Sequence, residues 1–392
     1  MISKATADRV FRLVVTGGGT GGHTYPALTA VRTLRARLAA ADRTLEVLWV
    51  GTADGLEARV AAAEGIPFAA VATGKLRRSG NPLKLLSPAN MRDMGRVPLG
   101  VAQARSSISR FRPDVVLATG GYVAVPVGLA ARMCRRPLVI HEQTVRLGLA
   151  NRSLARAATR IAVSSESTLP LLSESARNAA VVTGNPVRPE VLAGQADKAI
   201  EALDLHGFDR SLPTVYITGG AQGSQQINTL VRSILSWLLS QANVIHQCGP
   251  TNLTDLRHHT ANLSGDLASR YFLTDFIGPE LPDVLALADV VISRSGAGTI
   301  AELTALGKAA VFIPLASSAG NEQAYNASHL ADAGAAVALS GEVAPGALRE
   351  ALTPLLADLN LRNDMAGHAR ALGRPDAADR LVDVLLSAAS HP

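Results

Sequence analysis

The chain has 392 residues, more than one ordinary hydrophobic core fills and about right for two domains. Hydrophobic residues make up 47% of it and aromatic residues only 4%, with 34 glycines, so small aliphatic side chains must fill an α/β interior rather than a β-sandwich. The formal charge of +6 favours phosphates or anionic surfaces, yet the basic residues are not interleaved with aromatics and no nucleic-acid module signature occurs, so no nucleic-acid partner is expected.

The opening MISKATADRVFRLVV holds one strand of apolar residues and no cleavage-like end, which predicts no signal peptide and a cytoplasmic location. The strand FRLVVTGGG enters a glycine-rich turn, Gly17 to Gly22, followed by His23 and the helix-like ALTAVRTLRARLAA. Backbone amides in such a turn can point at an anion, and the helix N-terminus adds positive partial charge. Gly17, Gly19 and Gly22 also satisfy GxGxxG, but a dinucleotide fold wants an acid at the end of the next strand. Glu46 lies inside LEVLWVG and Asp54 comes too late, so an NAD(P)-binding oxidoreductase stays as the alternative class.

Between Gly74 and Arg96, Lys75, Arg77, Arg78 and Lys84 mix with Leu76, Leu83, Leu85, Leu86 and Met91. Such mixing suits either contact with an anionic membrane or a solvated loop and helix. The uncharged run Val115 to Ala131 contains Gly120, Gly121, Pro126 and Gly128, so strand, turn and helix start is expected there instead of a membrane span. A second glycine turn, Thr119 to Tyr122, follows PDVVLATGG; RPLVIHEQ, RIAVSSE and AAVVTGNP complete a parallel-sheet rhythm. The polar stretch Gln195 to Arg210 separates this series from TVYITGG, NVIHQCG, YFLTDFIG, DVVISRSG and AAVFIPL. The expected domains are therefore 1–190 and 191–392, with helices in Pro345 to Ser387 crossing back to the first. Cys134 and Cys248 read as buried free thiols.

In the second half, Gly219 to Ser224 forms a third glycine turn before QQINTLVRSILSWLL. The segment Ser293 to Leu303 again reads as strand, small-residue turn and helix; Glu302 is either a donor-binding carboxylate or a helix-start acid stabilised by the macrodipole.

Taken in order, GGGTGGHTYPAL, TGGYVAVPVGLAA, HEQTVRLGLANR, TGNPVRPEV, GGAQGSQQIN, SRSGAGTIAEL and NEQAYNA closely resemble the MurG family of glycosyltransferases. These enzymes move N-acetylglucosamine from UDP-GlcNAc to lipid I, undecaprenyl-pyrophosphoryl-MurNAc-pentapeptide, making lipid II for peptidoglycan. The resemblance implies a GT-B fold, two Rossmann-like domains facing across a cleft, at the cytoplasmic face of the membrane. By matching motif, Thr20, Gly21 and Gly22 would cradle substrate groups and His23 would face the reaction centre. Arg188 and the backbone at Ile277 would approach the nucleotide. Ala297, Gly298, Thr299, Ile300, Ala301 and Glu302 would wrap diphosphate and ribose, and Gln323 would contact the donor sugar. Thr144 and Ala221 depart from the family's usual Asn and Ser, which leaves open another UDP-sugar or another lipid-linked acceptor.

No Asp-x-Asp occurs in the second half, so no metal is expected on the diphosphate and no cofactor is implied. An inverting transfer needs a base for the acceptor hydroxyl; His23 is the first candidate and His141 the second. A UDP-sugar epimerase, or a membrane scaffold that binds nucleotide sugar without turnover, would share many of these features.

Overall fold

The computed structural model describes residues 10–74 and 88–390. Two compact units divide the chain, Met1–Pro186 with Asp376–Pro392, and Val187–Pro375. In the first, β1 (Val10–Thr16), β2 (Thr44–Gly51), β3 (Phe68–Ala70), β4 (Val115–Ala118), β5 (Leu138–Glu142), β6 (Arg160–Val163) and β7 (Ala180–Val182) form one sheet in the order β3-β2-β1-β4-β5-β6-β7. Every pairing in it is parallel. In the second unit, β8 (Thr214–Thr218), β9 (Asn243–Gln247), β10 (Tyr271–Thr274), β11 (Val290–Ser293), β12 (Ala309–Phe312) and β13 (Val337–Ala338) run in the order β10-β9-β8-β11-β12-β13, again all parallel. Both sheets follow the doubly wound Rossmann order, in which the chain reverses direction beside the first strand and opens a crevice there.

The period of two along each central strand explains the two-faced cover. Leu13 and Val15 pack on one face with Val31 and Leu34 of the helix Gly21–Ala40 and with Leu381 and Leu385 of the helix Ala377–Ser390. Val14 points to the other face, against Ile108 of the helix Pro88–Phe111 and Val127 of the helix Ala124–Met133. In the second unit Val215 and Ile217 face Leu235 and Leu352, while Tyr216 faces Val284 and Leu303. A one-residue slip in either strand would exchange the two faces, so burial on both sides pins the register.

The helices Pro345–Ala357 and Leu359–Leu372 stay with the second unit, and only Ala377–Ser390 packs on the first. There Arg37 pairs with Asp383 at 2.7 Å. Cys248 is buried but Cys134 only half-buried, and both are free. Among the described residues no helix is long and apolar enough to cross a membrane; Val115 to Ala131 is strand, turn and helix. Of the basic and apolar stretch, Lys75, Leu76, Arg77, Arg78, Leu83, Lys84, Leu85 and Leu86 lie outside the described residues, while Met91 falls on the helix Pro88–Phe111.

Candidate active site

The first glycine turn leaves β1 beside the point where the sheet reverses, and its glycines do two different jobs. A Cβ on Gly17 would collide with the Thr119 hydroxyl, and one on Gly18 would collide with the Glu57 carboxylate. Gly121 (φ +78°) likewise lies against the Gly18 carbonyl. These glycines let the β1 and β4 turns touch. Gly22, by contrast, has only the Thr20 hydroxyl near its Cβ position, at 3.6 Å, and with Gly19 and Thr20 it is exposed. Thr20 caps the helix Gly21–Ala40 through its carbonyl, which accepts from the amides of His23 and Thr24 at 3.2 Å each, and no acid occupies the first turn. Pro26 has no N–H to offer the Gly22 carbonyl four residues back, so that oxygen stays outside the helical ladder.

Glu57 changes what this turn can bind. Its buried carboxylate accepts from the Thr52 hydroxyl at 2.6 Å, the Thr52 amide at 3.0 Å and the Gly19 amide at 3.3 Å. Burial pushes its pKa up, but these hydrogen bonds outweigh burial and hold it below the usual carboxylate value. The turn thus already holds an anion of its own, which opposes a second, diphosphate anion at Gly17 to Gly19 and with it the dinucleotide alternative.

His23, half-buried at the start of the helix, donates from Nδ1 to Gln143 Oε1 at 3.0 Å. Gln143 in turn donates from Nε2 to the Thr119 carbonyl at 2.7 Å and to His141 Nδ1 at 3.0 Å. His141 lies on β5 with no exposed surface and donates from Nε2 to the Gly184 carbonyl at 3.0 Å. Burial first, and then the neighbouring His23, drive the His141 pKa down to about 4, although the Gly184 carbonyl opposes this. His141 is therefore neutral, with both ring nitrogens engaged, and is unsuited to take a proton from a bound substrate. Its neighbour Glu142 builds the following loop, accepting from the Gly148 amide at 2.8 Å, Asn151 Nδ2 at 2.9 Å and the Thr144 hydroxyl at 2.8 Å. Thr144 thus uses its hydroxyl inside the loop.

In the second unit the helix Ala297–Leu306 follows β11. Its cap, Gly296, offers no side chain, its first turn has no acid, and Gly298 has nothing within 4 Å of a Cβ position. Gly296 through Glu302 are all half-buried, with Ile300 and Ala301 packed against the core. Glu302 Oε1 accepts from both Nε and an Nη of Arg188, each at 2.9 Å. Burial raises the Glu302 pKa and the Arg188 charge opposes the rise. Gln323 Oε1 accepts from the Leu315 amide at 2.9 Å, leaving its amide nitrogen to donate. Ile277 is buried and its amide is engaged by Gln247 Oε1 at 3.0 Å, so its carbonyl is the backbone group left for a ligand; the adjacent Phe276 side chain is 54% exposed. Ala221 is exposed beside Gly220, whose φ of +86° no other residue adopts comfortably.

Sequence reasoning missed the residues that tie these turns together. Arg294 donates to the Ser224 hydroxyl at 2.7 Å, Gln226 Oε1 at 2.8 Å, and the carbonyls of Ile313 and Pro314 at 2.8 and 2.9 Å, joining the ends of β8, β11 and β12. A charge directly after the apolar VVIS was its signal. Gln247, Gln143 and Glu57 left weaker signals, since polar residues near strand ends are common. Among the described residues no group of three or more His, Cys, Asp or Glu side chains is arranged to hold a metal ion.

Residues 13–163 match the glycosyltransferase family 28 N-terminal domain, and residues 214–381 match the glycosyltransferase family 28 C-terminal domain. A protein of Halorhodospira halophila named UDP-N-acetylglucosamine–N-acetylmuramyl-(pentapeptide) pyrophosphoryl-undecaprenol N-acetylglucosamine transferase is 37% identical over 375 residues, covering 95% of this chain and 97% of its own length. The protein of that name from Listeria welshimeri is 35% identical over 378 residues, covering 96% of this chain and 99% of its own. A crystal structure of MurG from Acinetobacter baumannii is similar with a TM-score of 0.73 at 28% identity, over 96% of this chain and 99% of that one. Identity of this order over nearly the full length of both partners carries the order of motifs, the paired Rossmann sheets and the loop chemistry together: the chain belongs to the MurG glycosyltransferases of family 28, with their GT-B fold.

Proposed function

We propose that the chain transfers N-acetylglucosamine from UDP-GlcNAc, with inversion, to the 4-hydroxyl of the MurNAc unit of lipid I, forming lipid II in peptidoglycan synthesis. The observation that carries this reading is the full-length relationship to transferases named for that donor and acceptor. The donor sits on the second unit. Glu302, gripped by its Arg188 partner, accepts from the ribose hydroxyls; the uncapped start of the helix Ala297–Leu306 receives the diphosphate. The Ile277 carbonyl accepts from the uracil ring, and the Gln323 amide donates to the sugar. No step calls for a metal, because helix-start amides neutralise the leaving diphosphate.

The acceptor sits on the first unit. His23 takes the proton of the attacking hydroxyl through Nε2, the ring nitrogen that Gln143 leaves open. Thr20, Gly21 and Gly22 line its approach. The enzyme works as a peripheral protein on the cytoplasmic face of the membrane. Leu99 (54% exposed) and Met133 (55% exposed) support this, on helices that also carry exposed Arg96 and Arg132, with exposed Arg135 in the turn after the second. Purified protein incubated with UDP-GlcNAc and a lipid I analogue should release UDP and form the disaccharide. Conversion of UDP-GlcNAc to its epimer without acceptor, or no UDP release at all, would overturn the assignment.

A further inference from the structure

A neutral histidine side chain in water prefers to carry its proton on Nε2, which is the wrong place for a base that must accept a proton through Nε2. We propose that Gln143 is a positioning residue that reverses this preference, holding His23 as the Nδ1–H tautomer with its Nε2 lone pair open to the acceptor. The proposal rests on the reading of His23 as the base.

The direction of each hydrogen bond is set by groups that cannot change roles. The Thr119 carbonyl only accepts, so the group of Gln143 that lies 2.7 Å from it must be the amide nitrogen. The His141 carbonyl, 3.1 Å from the same nitrogen, demands the same assignment. Turning the amide over would set its oxygen against two carbonyl oxygens in a site where Gln143 is 4% exposed. Gln143 therefore presents its oxygen to His23, and an oxygen can only accept. At the far end, the Gly184 carbonyl makes His141 Nε2 the protonated nitrogen, which leaves His141 Nδ1 as an acceptor for Gln143 at 3.0 Å. Three backbone carbonyls, at Thr119, His141 and Gly184, thus fix the proton on His23 through a neutral relay. The Thr119 hydroxyl also donates to the His23 carbonyl at 2.8 Å, holding the start of the helix against the same turn. A neutral amide suits this better than a carboxylate, which would set a negative charge against those carbonyls.

The direct test is ring-nitrogen NMR of histidine-labelled protein near neutral pH, with the His23 signals assigned by their loss in His23→Gln. Neutral His23 should show protonated Nδ1 and unprotonated Nε2; a protonated Nε2, or an even mixture, would overturn the proposal. Gln143→Met, similar in length and without hydrogen bonds, should move His23 toward Nε2–H. It should also lower kcat roughly 10- to 100-fold, the loss that removing the partner of an oriented metal-ligating histidine gives, while UDP affinity and acceptor KM hold. Unchanged kcat with the tautomer shifted would overturn the role. If Gln143→Met does not fold, Gln143→Glu keeps an accepting oxygen toward Nδ1, and its buried acid, once protonated, can still donate to Thr119. It should therefore keep the Nδ1–H form, and losing that form would count against the relay. Full turnover in His23→Gln would remove the base reading alone, since the NMR result reports the tautomer whatever His23 does.

Discussion

Replacing Arg188 with Met removes the guanidinium that faces Glu302 through two contacts of 2.9 Å and leaves a carboxylate that is only 18% exposed. Breaking a fully buried ion pair costs about 3 to 5 kcal/mol, and an exposed pair about 0 to 1. The Arg188 side chain is 38% exposed, so solvent screens part of the interaction and a loss of about 1 to 2 kcal/mol in stability at neutral pH is expected. Burial already raises the Glu302 pKa above its ordinary value, and without Arg188 it rises further. The folded variant then binds more protons than the unfolded one between those two pKa values, so its stability falls as pH rises through that window and recovers on acidification. UDP affinity runs the opposite way. A protonated Glu302 loses acceptor strength toward ribose hydroxyls, and a hydrogen bond to a charged group is worth about 1.5 to 3 kcal/mol, or roughly ten- to a hundredfold in affinity. Any direct contact between Arg188 and the nucleotide lowers affinity by a factor that does not change with pH, so the slope is the diagnostic quantity. Urea unfolding and UDP calorimetry, each as variant against wild type from about pH 5 to pH 8, give both trends. On acidification the stability deficit should narrow and the affinity deficit should widen. Two flat differences would mean that Arg188 does not hold Glu302 ionised; an affinity deficit that narrows in acid would remove the carboxylate from ribose binding.

His23→Gln should leave UDP affinity nearly intact and lower kcat by roughly 10² to 10⁴, the worth of a placed general base; near-normal turnover would make His23 a hydrogen-bonding group only. Activity in excess EDTA should equal activity with magnesium, and a large loss restored by the metal would refute a metal-free donor site. Gly121→Ala forces a Cβ toward the Gly18 carbonyl at a φ of +78°, so denaturation should show a loss of about 1 to 3 kcal/mol. Gly298→Ala has nothing within 4 Å to meet and sits in a helix, so stability should hold or rise by up to about 1 kcal/mol while UDP affinity falls. Unchanged affinity there would move the diphosphate away from that helix start.

The two Rossmann sheets were legible because a buried parallel strand has to be apolar on both faces, and FRLVV, VVLA, TVYIT and VVIS are. The edge strands Phe68–Ala70 and Val337–Ala338 were not, since two or three residues are too few to show any period. The last helices were legible as helices, but which unit each one covers depends on distant partners such as Arg37 and Asp383. Site legibility followed the same division. His23, Glu302 and the open glycines stand in ordered motifs next to strand ends, where the chain's own pattern displays them. Gln143, Gln247 and Arg294 act through contacts with residues far along the chain, and a single polar letter in a sequence does not say what it will touch.

On the proposed reading the same strand order serves different chemistry in the two units, because the turns at the strand ends are filled differently. In the first unit Glu57 and Thr119 occupy the glycine turn, and their contacts use space and amides that a phosphate would otherwise take. What remains open there is the outward face of Gly22, the Thr20 hydroxyl and one nitrogen of His23. Such a surface suits an attacking hydroxyl, which must lose a proton without meeting a strong anion-binding field. In the second unit Gly220, in the turn after β8, and Gly296 and Gly298, in the turn after β11, keep their Cβ positions clear, while Gly219 and Gly223 lie against Ser224 and Cys248; Arg294 ties the two turns together. Its charge is taken up by carbonyls and by the Ser224 hydroxyl that caps the next helix, so it holds the turns in place while helix-start amides face outward. On the proposed reading, one topology used twice separates a proton-accepting site from an anion-accepting one by which side chains fill the turns at its strand ends. A glycine fingerprint therefore predicts nucleotide binding only after the residues behind it are known.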